Sequence, residues 1–117
     1  MSTALADIDF DYDRSQIRED ARAILMRNAA NLKGILSDFP SVQVLLEGHS
    51  DDRGSAEYNL GLGDLRAETT RELIVEFGVP SERLEIISYG KERPGCAEMN
   101  ESCWHNTVHI SLLPRRF

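Results

Sequence analysis

The sequence predicts an α/β fold, and three observations carry that reading. Four short segments alternate apolar and polar residues at a period of two, or run apolar and β-branched, as strands do. Two long segments repeat their apolar residues at three- and four-residue steps, as amphipathic helices do. The two kinds of segment take turns along the chain, which implies a sheet with helices packed on it. The predicted order is β-α-β-α-β-(short α)-β. The two long helices read as crossover connections, so part of the sheet is expected to be parallel.

The first strand is read from Ile8-Asp9-Phe10-Asp11-Tyr12-Asp13. Its large residues fall at every second position, which puts Ile8, Phe10 and Tyr12 on one face. A helix follows, with Ile17, Ala21, Ile24, Leu25, Leu32, Ile35 and Leu36 at helical spacing. Glu19 and Asp20 stand in its first turn, where the helix dipole favours negative charge. Phe39-Pro40-Ser41 ends it. Val42-Gln43-Val44-Leu45-Leu46-Glu47 has the character of a buried strand. The loop Gly48-His49-Ser50-Asp51-Asp52-Arg53-Gly54 comes after it.

The second helix is expected over 63–77, with Leu73, Ile74 and Phe77 facing inward. Gly78 followed by Val79-Pro80 stops it, because Gly accepts the left-handed conformation and Pro cannot continue a helix. Leu84-Glu85-Ile86-Ile87-Ser88-Tyr89 is a third strand. Residues 91–106 form a loop with a turn or two of helix near 99–104. Val108, Ile110 and Leu112 alternate in a last strand that Pro114 ends.

Composition narrows the function. The 117 residues suffice for one domain with one core but not two, so 1–117 is read as a single domain. The chain is 41% hydrophobic and 28% charged, which is the balance of an ordinary globular domain. Its formal net charge is −7, so it is not drawn to phosphate backbones or anionic lipid. No apolar run approaches the ~18–20 residues of a membrane helix. The opening Met-Ser-Thr-Ala-Leu-Ala is too short for a signal peptide, so the chain is read as cytosolic or as a mature or excised domain.

The stretch richest in chemistry runs from Glu47-Gly48-His49-Ser50-Asp51-Asp52-Arg53-Gly54 through Glu57-Tyr58-Asn59 to Leu62-Gly63-Asp64-Leu65-Arg66-Ala67. It puts acidic groups at the end of a buried strand and an Arg near the start of a helix. Ligands of open α/β sheets collect at the carboxyl ends of strands. A carboxylate and a guanidinium facing one pocket suit a zwitterion: the first takes its ammonium, the second its carboxylate. An Asp–Arg pair near a turn is also an ordinary surface salt bridge, and spacing alone leaves both readings open.

Other motifs point away from catalysis. His105 and His109 lack the His-Glu-x-x-His helix of a metalloprotease. Gly61-Leu62-Gly63 lacks the Lys-Ser/Thr and the third Gly of a nucleotide loop, and reads as the start of a helix. A hydrolase using His49, Asp51 and Asp52 around a metal is the poorest reading. No cofactor is expected. Cys96 and Cys103 are too few for a Cys-only zinc site, which needs about four ligands. Two buried thiols and one disulfide both remain open on the residues alone.

Taken together, these segments resemble the OmpA-like peptidoglycan-binding domain, and within it the peptidoglycan-associated lipoprotein branch. Phe10-Asp11-Tyr12-Asp13-Arg14-Ser15-Gln16-Ile17-Arg18 is similar to that family's opening strand and loop. Leu46-Glu47-Gly48-His49-Ser50-Asp51-Asp52-Arg53-Gly54 is similar to its most diagnostic segment. Tyr58-Asn59-Leu60-Gly61-Leu62-Gly63-Asp64-Leu65-Arg66-Ala67 and Ile87-Ser88-Tyr89-Gly90-Lys91-Glu92-Arg93-Pro94 follow in the family's order. The resemblance covers about 8–113.

The resemblance implies a mixed four-stranded sheet with helices on one face. It implies non-catalytic binding of peptidoglycan through the diaminopimelate of the stem peptide, at the periplasmic face of the outer membrane. Carried onto this sequence, Asp51 receives the ammonium and Arg66 clamps the carboxylate on the opposite wall of one pocket. Asn59 and Ser50 shape the loop, and Tyr12 and Asp13 line the site. His49 belongs to the hydrogen bonding of its own loop. The resemblance also admits a Tol-type periplasmic protein as partner, with the wall site degenerate. A membrane link would come through an anchor outside this chain. An exported location permits a Cys96–Cys103 disulfide, worth roughly 2–3 kcal/mol in the chain-entropy account. There is one departure. Where the family carries Asn-Arg-Arg before its last strand, Trp104 is followed here by His105-Asn106-Thr107-Val108-His109, without the double Arg. Weaker attraction of an acidic stem peptide is expected from that loss.

Overall fold

Three of the four strands lie where their periodicity predicts, although the second runs two residues further, to His49, because Gly48 pairs with Ser88 and Val108 and stays in the sheet instead of opening the loop. The computed structural model describes residues 5–11, 13–50, 55–90 and 106–114. Strand β1 is Ile8–Asp9, helix α1 Glu19–Asp38, β2 Val42–His49 and α2 Ala56–Glu76. A 3-10 turn at Ser81–Arg83 leads into β3, Leu84–Gly90, and β4 is Thr107–Pro114. The sheet order is β1-β4-β2-β3. β2 and β3 run parallel, joined by the crossover helix α2, while β4 is antiparallel to both β2 and β1. The sheet is therefore mixed, and the fold is α/β as the alternation of elements predicts.

Register sets the core. Leu46 lies opposite Ile86 on one side and Ile110 on the other, and Val44 opposite Leu84 and Leu112. Paired residues share a face, so one face of the sheet presents Val44, Leu46, Val108 and Ile110 to the helices, all buried. α1 meets them with Leu25, Ala29, Leu32 and Leu36, and α2 with Ala67, Leu73 and Ile74. Each fully buried Leu or Ile contributes about 1.5–3 kcal/mol by leaving water.

The second helix starts seven residues before the expected Gly63. Ser55 is its N-cap, and the Ser55 hydroxyl accepts from the Tyr58 amide at 3.1 Å. Gly61-Leu62-Gly63 is thus interior to a helix, not its start, although Gly weakens helices. Tertiary packing explains Gly63: a Cβ there would lie 2.3 Å from Ser88 Oγ and 2.9 Å from the Gly48 carbonyl oxygen. The first strand is corrected the other way. Its ladder stops at Asp9, because the chain turns at Asp11, whose carbonyl accepts from the Arg14 amide at 3.1 Å. Asp13 takes the left-handed conformation in that turn, with φ 58°, which Asp tolerates better than most residues. Phe10 stays buried beside Ile8. Tyr12, the short helix at 99–104 and the Cys96–Cys103 pair lie outside the described residues.

Two side chains tie α1 to distant segments, one at its C-terminal end and one at its middle. Arg83 donates to the carbonyls of Phe39 at 3.0 Å and Val42 at 2.7 Å, supplying the cation that the last turn of α1 lacks. Asn28, buried in α1, accepts from the Ala6 amide at 3.2 Å and donates to the Ala6 carbonyl at 2.9 Å. Asn28→Ala removes both bonds and strands the Ala6 groups. A loss of about 1–3 kcal/mol is expected in urea denaturation, with earlier amide exchange in residues 5–9.

Candidate functional site

The carboxyl ends of β2 and β3 meet the first half of α2, and a small set of polar bonds organises that junction. His49 ends β2 and Ser50 follows it, and both are fully buried. The Ser50 amide donates to the Gly90 carbonyl at 2.8 Å, and its hydroxyl donates to the Asn59 carbonyl at 3.0 Å. Asn59 is buried in the first turn of α2, and its side-chain amide donates to the Ser55 carbonyl at 2.9 Å. These two residues therefore tie the end of β2 to the N-terminus of α2. The His49 ring stacks on Tyr89 at 5.5 Å between centroids. Asp51 and Asp52 lie outside the described residues.

Arg66 is the centre of the junction. It projects from α2 and is fully buried. Its Nε donates to the Arg14 carbonyl at 2.7 Å, and its Nη2 to the Asp11 carbonyl at 3.0 Å. Its Nη1 donates to the His49 carbonyl at 2.9 Å and to Asn106 Oδ1 at 3.0 Å. The Phe10 ring faces the guanidinium at 5.3 Å. One planar cation thus joins α2, the turn after β1, the end of β2 and the start of β4. The rigid fork of Arg suits this, since it aims several donors in fixed directions. A buried guanidinium needs such partners, because leaving water without them is costly.

Asp13 lies on the exposed turn that Arg66 holds, and the Tyr58 hydroxyl donates to its carboxylate. Arg66, Ser50, Asn59 and Asp13 are therefore gathered around one end of the sheet. A few residues later, Arg18 donates to Asp20 at 2.8 Å on the open surface. That hydrogen bond holds the Asp20 carboxyl below its ordinary range and raises the Arg18 guanidinium. Among the described residues, no group of three or more His, Cys, Asp or Glu side chains could hold a metal ion.

Phe10, Asn106, Gly48 and Tyr58 were not legible as site residues. Gly48 carried the clearest signal, because Gly inside a buried strand marks close backbone approach. Asn106 stands directly before the last strand, where a lone amide is inconspicuous. Thr107 and Val108, which follow it directly with no double Arg, open β4. Val108 is fully buried and pairs with Ile8 and Gly48.

Comparison with known proteins places this arrangement. The profile of the OmpA family matches residues 9–102. The chain is 46% identical over 95 residues to the peptidoglycan-associated lipoprotein of Rhizobium meliloti, covering 81% of this chain and 52% of that protein. It is 39% identical over 103 residues to the peptidoglycan-associated lipoprotein of Pseudomonas aeruginosa, covering 88% and 58%. The chain spans about half the length of the curated relatives it matches. The crystal structure of the peptidoglycan-associated lipoprotein from Burkholderia pseudomallei superposes with a TM-score of 0.76 at 31% identity, over 92% of this chain and 89% of that one. The C-terminal domain of Helicobacter pylori MotB has the same fold, with a TM-score of 0.75 at 21% identity over 94% and 85%. Its matched profile and its relatives agree with the order of its motifs: the chain belongs to the OmpA family.

Proposed function

We propose that this domain binds peptidoglycan without cleaving it, by holding the diaminopimelate of the stem peptide at the carboxyl end of β2. The observation that supports this most is the position of Arg66. It is buried at the strand end and bonded to the carbonyl of His49, two residues before Asp51. Asp51 then takes the ligand's ammonium, and Arg66, fully buried and bonded to the carbonyls of Asp11, Arg14 and His49, holds the walls in place and draws the ligand's carboxylate by its positive charge rather than by a direct clamp. Ser50 and Asn59 hold the end of β2 against α2, and Asp13 and Tyr12 border the site. The domain links the cell wall to the outer membrane or to an envelope complex on the periplasmic side.

The test is sedimentation with purified sacculi. Asp51→Ala should weaken binding by about 2–5 kcal/mol, since a charged hydrogen bond is left unmatched. Its melting temperature should hardly move, because a loop carboxylate adds little to the fold. Unaltered sacculus binding by the folded variant would remove Asp51 from the site.

A second reading rests on Tyr58, Leu60 and Leu65, which α2 leaves 50–55% exposed beside the same junction. Exposed apolar groups of this kind suit a protein partner in the envelope, such as a Tol-type protein. Under that reading Leu65→Ala weakens partner binding and leaves sacculus binding intact.

A further inference from the structure

The sheet face turned away from the helices carries a charge pattern that the wall site does not use. Register places Leu45 opposite Glu85, and Glu47 opposite both Ile87 and His109. All of these point to the side opposite Val44 and Leu46. Ile87 and Leu113 are each 39% exposed, and Glu85 and Asp9 are exposed. Leu45 and Glu47 remain half-buried although β2 is a central strand. The Asp7 carboxylate accepts from His109 Nδ1 at 2.6 Å at the margin. No Lys or Arg occurs in any of the four strands.

Leu45, Ile87 and Leu113 therefore lie diagonally across this face, Leu45 paired with Ser111 and Leu113 with Gln43, with the carboxylates of Glu47 and Glu85 beside them, Asp9 at the edge, and no Lys or Arg on the four strands. A second copy of this chain would bring like charges together, at net −7 each. A segment with Lys or Arg between aliphatic residues meets both features at once. Its aliphatic groups cover Leu45, Ile87 and Leu113, and its cations meet the carboxylates. We propose that this face docks a basic amphipathic segment of a partner protein, separately from the wall site.

The test uses the full chain and a synthetic amphipathic peptide of Leu and Lys as probe. Amide shift changes in the unsubstituted protein should gather on Leu45, Ile87 and Leu113. The double variant Glu47→Gln/Glu85→Gln should weaken binding about tenfold. Glu72→Gln/Glu76→Gln, which removes the same charge from the exposed side of α2, should change it less than about twofold. Ile87→Thr should weaken binding without altering sacculus sedimentation. Equal losses in the two double variants would overturn the proposal, as would shift changes gathered on α2 or no binding. Self-association of the chain that the Glu47/Glu85 variant strengthens or abolishes would assign the face to a second copy instead.

Discussion

Arg66→Met is expected to lower stability by about 3–5 kcal/mol, in addition to any effect on binding. The change removes the donors that satisfy the carbonyls of Asp11, Arg14 and His49 and the amide oxygen of Asn106. A buried acceptor left without a partner costs about 1–3 kcal/mol, and water can reach only part of this set. The melting temperature should fall by roughly 10–20 °C. Arg66→Lys should recover only a small part, because a single ammonium cannot span carbonyls on separate segments. Thermal and urea denaturation of the two variants measure this. A loss below about 1 kcal/mol would mean that the four segments are held together by other contacts.

Gly48→Ala is the second large effect. A Cβ at residue 48 would lie 1.9 Å from the Gly63 carbonyl oxygen and 2.6 Å from its carbonyl carbon. Both partners are backbone, in a central strand and the middle of a helix, so neither side chain can swing away. α2 must lift from the sheet, and Ala67 and Ile74 lose contact with the core. A loss of about 3 kcal/mol or more is expected, or failure to fold. Gly61 gives the matched control, since nothing lies within 4 Å of a Cβ there. Gly61→Ala should stabilise by about 0.5–1 kcal/mol through helix propensity. Similar losses in both variants would contradict the close approach of α2 to β2.

These two residues also mark where the sequence can and cannot be read. β2, β3 and β4 were legible because a buried strand has a short-range signature: period two, or β-branched and apolar. α1 was legible because its apolar stripe repeats at helical spacing from Ala21 to Leu36. The first half of α2 was not, since Gly61 and Gly63 read locally as helix breakers. Gly63 is needed because of the sheet beneath, where Gly48 and Ser88 leave room only for a residue without a side chain, whereas Gly61 faces open space. β1 was read too long because Phe10 continues the alternation, while the Asp11–Arg14 turn already bends the chain away. Arg66 was picked out by its spacing from Asp51 and its family motif. Its burial depends on carbonyls from two other segments and the amide of Asn106, and no local pattern announces those. Fold class follows from local periodicity, whereas the site is a tertiary arrangement that only residue types and a known motif could foreshadow.

The central claim is that a zwitterionic end of diaminopimelate is what the junction recognises. Calorimetric titration of the domain with a stem tripeptide carrying diaminopimelate, and with the same peptide carrying lysine in its place, tests it most directly. The two ligands share the side-chain ammonium and differ in the neighbouring carboxylate. Binding of the diaminopimelate peptide is expected, with a loss of about 2 kcal/mol or more for the lysine peptide and a comparable loss with Asp51→Ala. Equal affinity for the two peptides, or binding untouched by Asp51→Ala, would contradict the account.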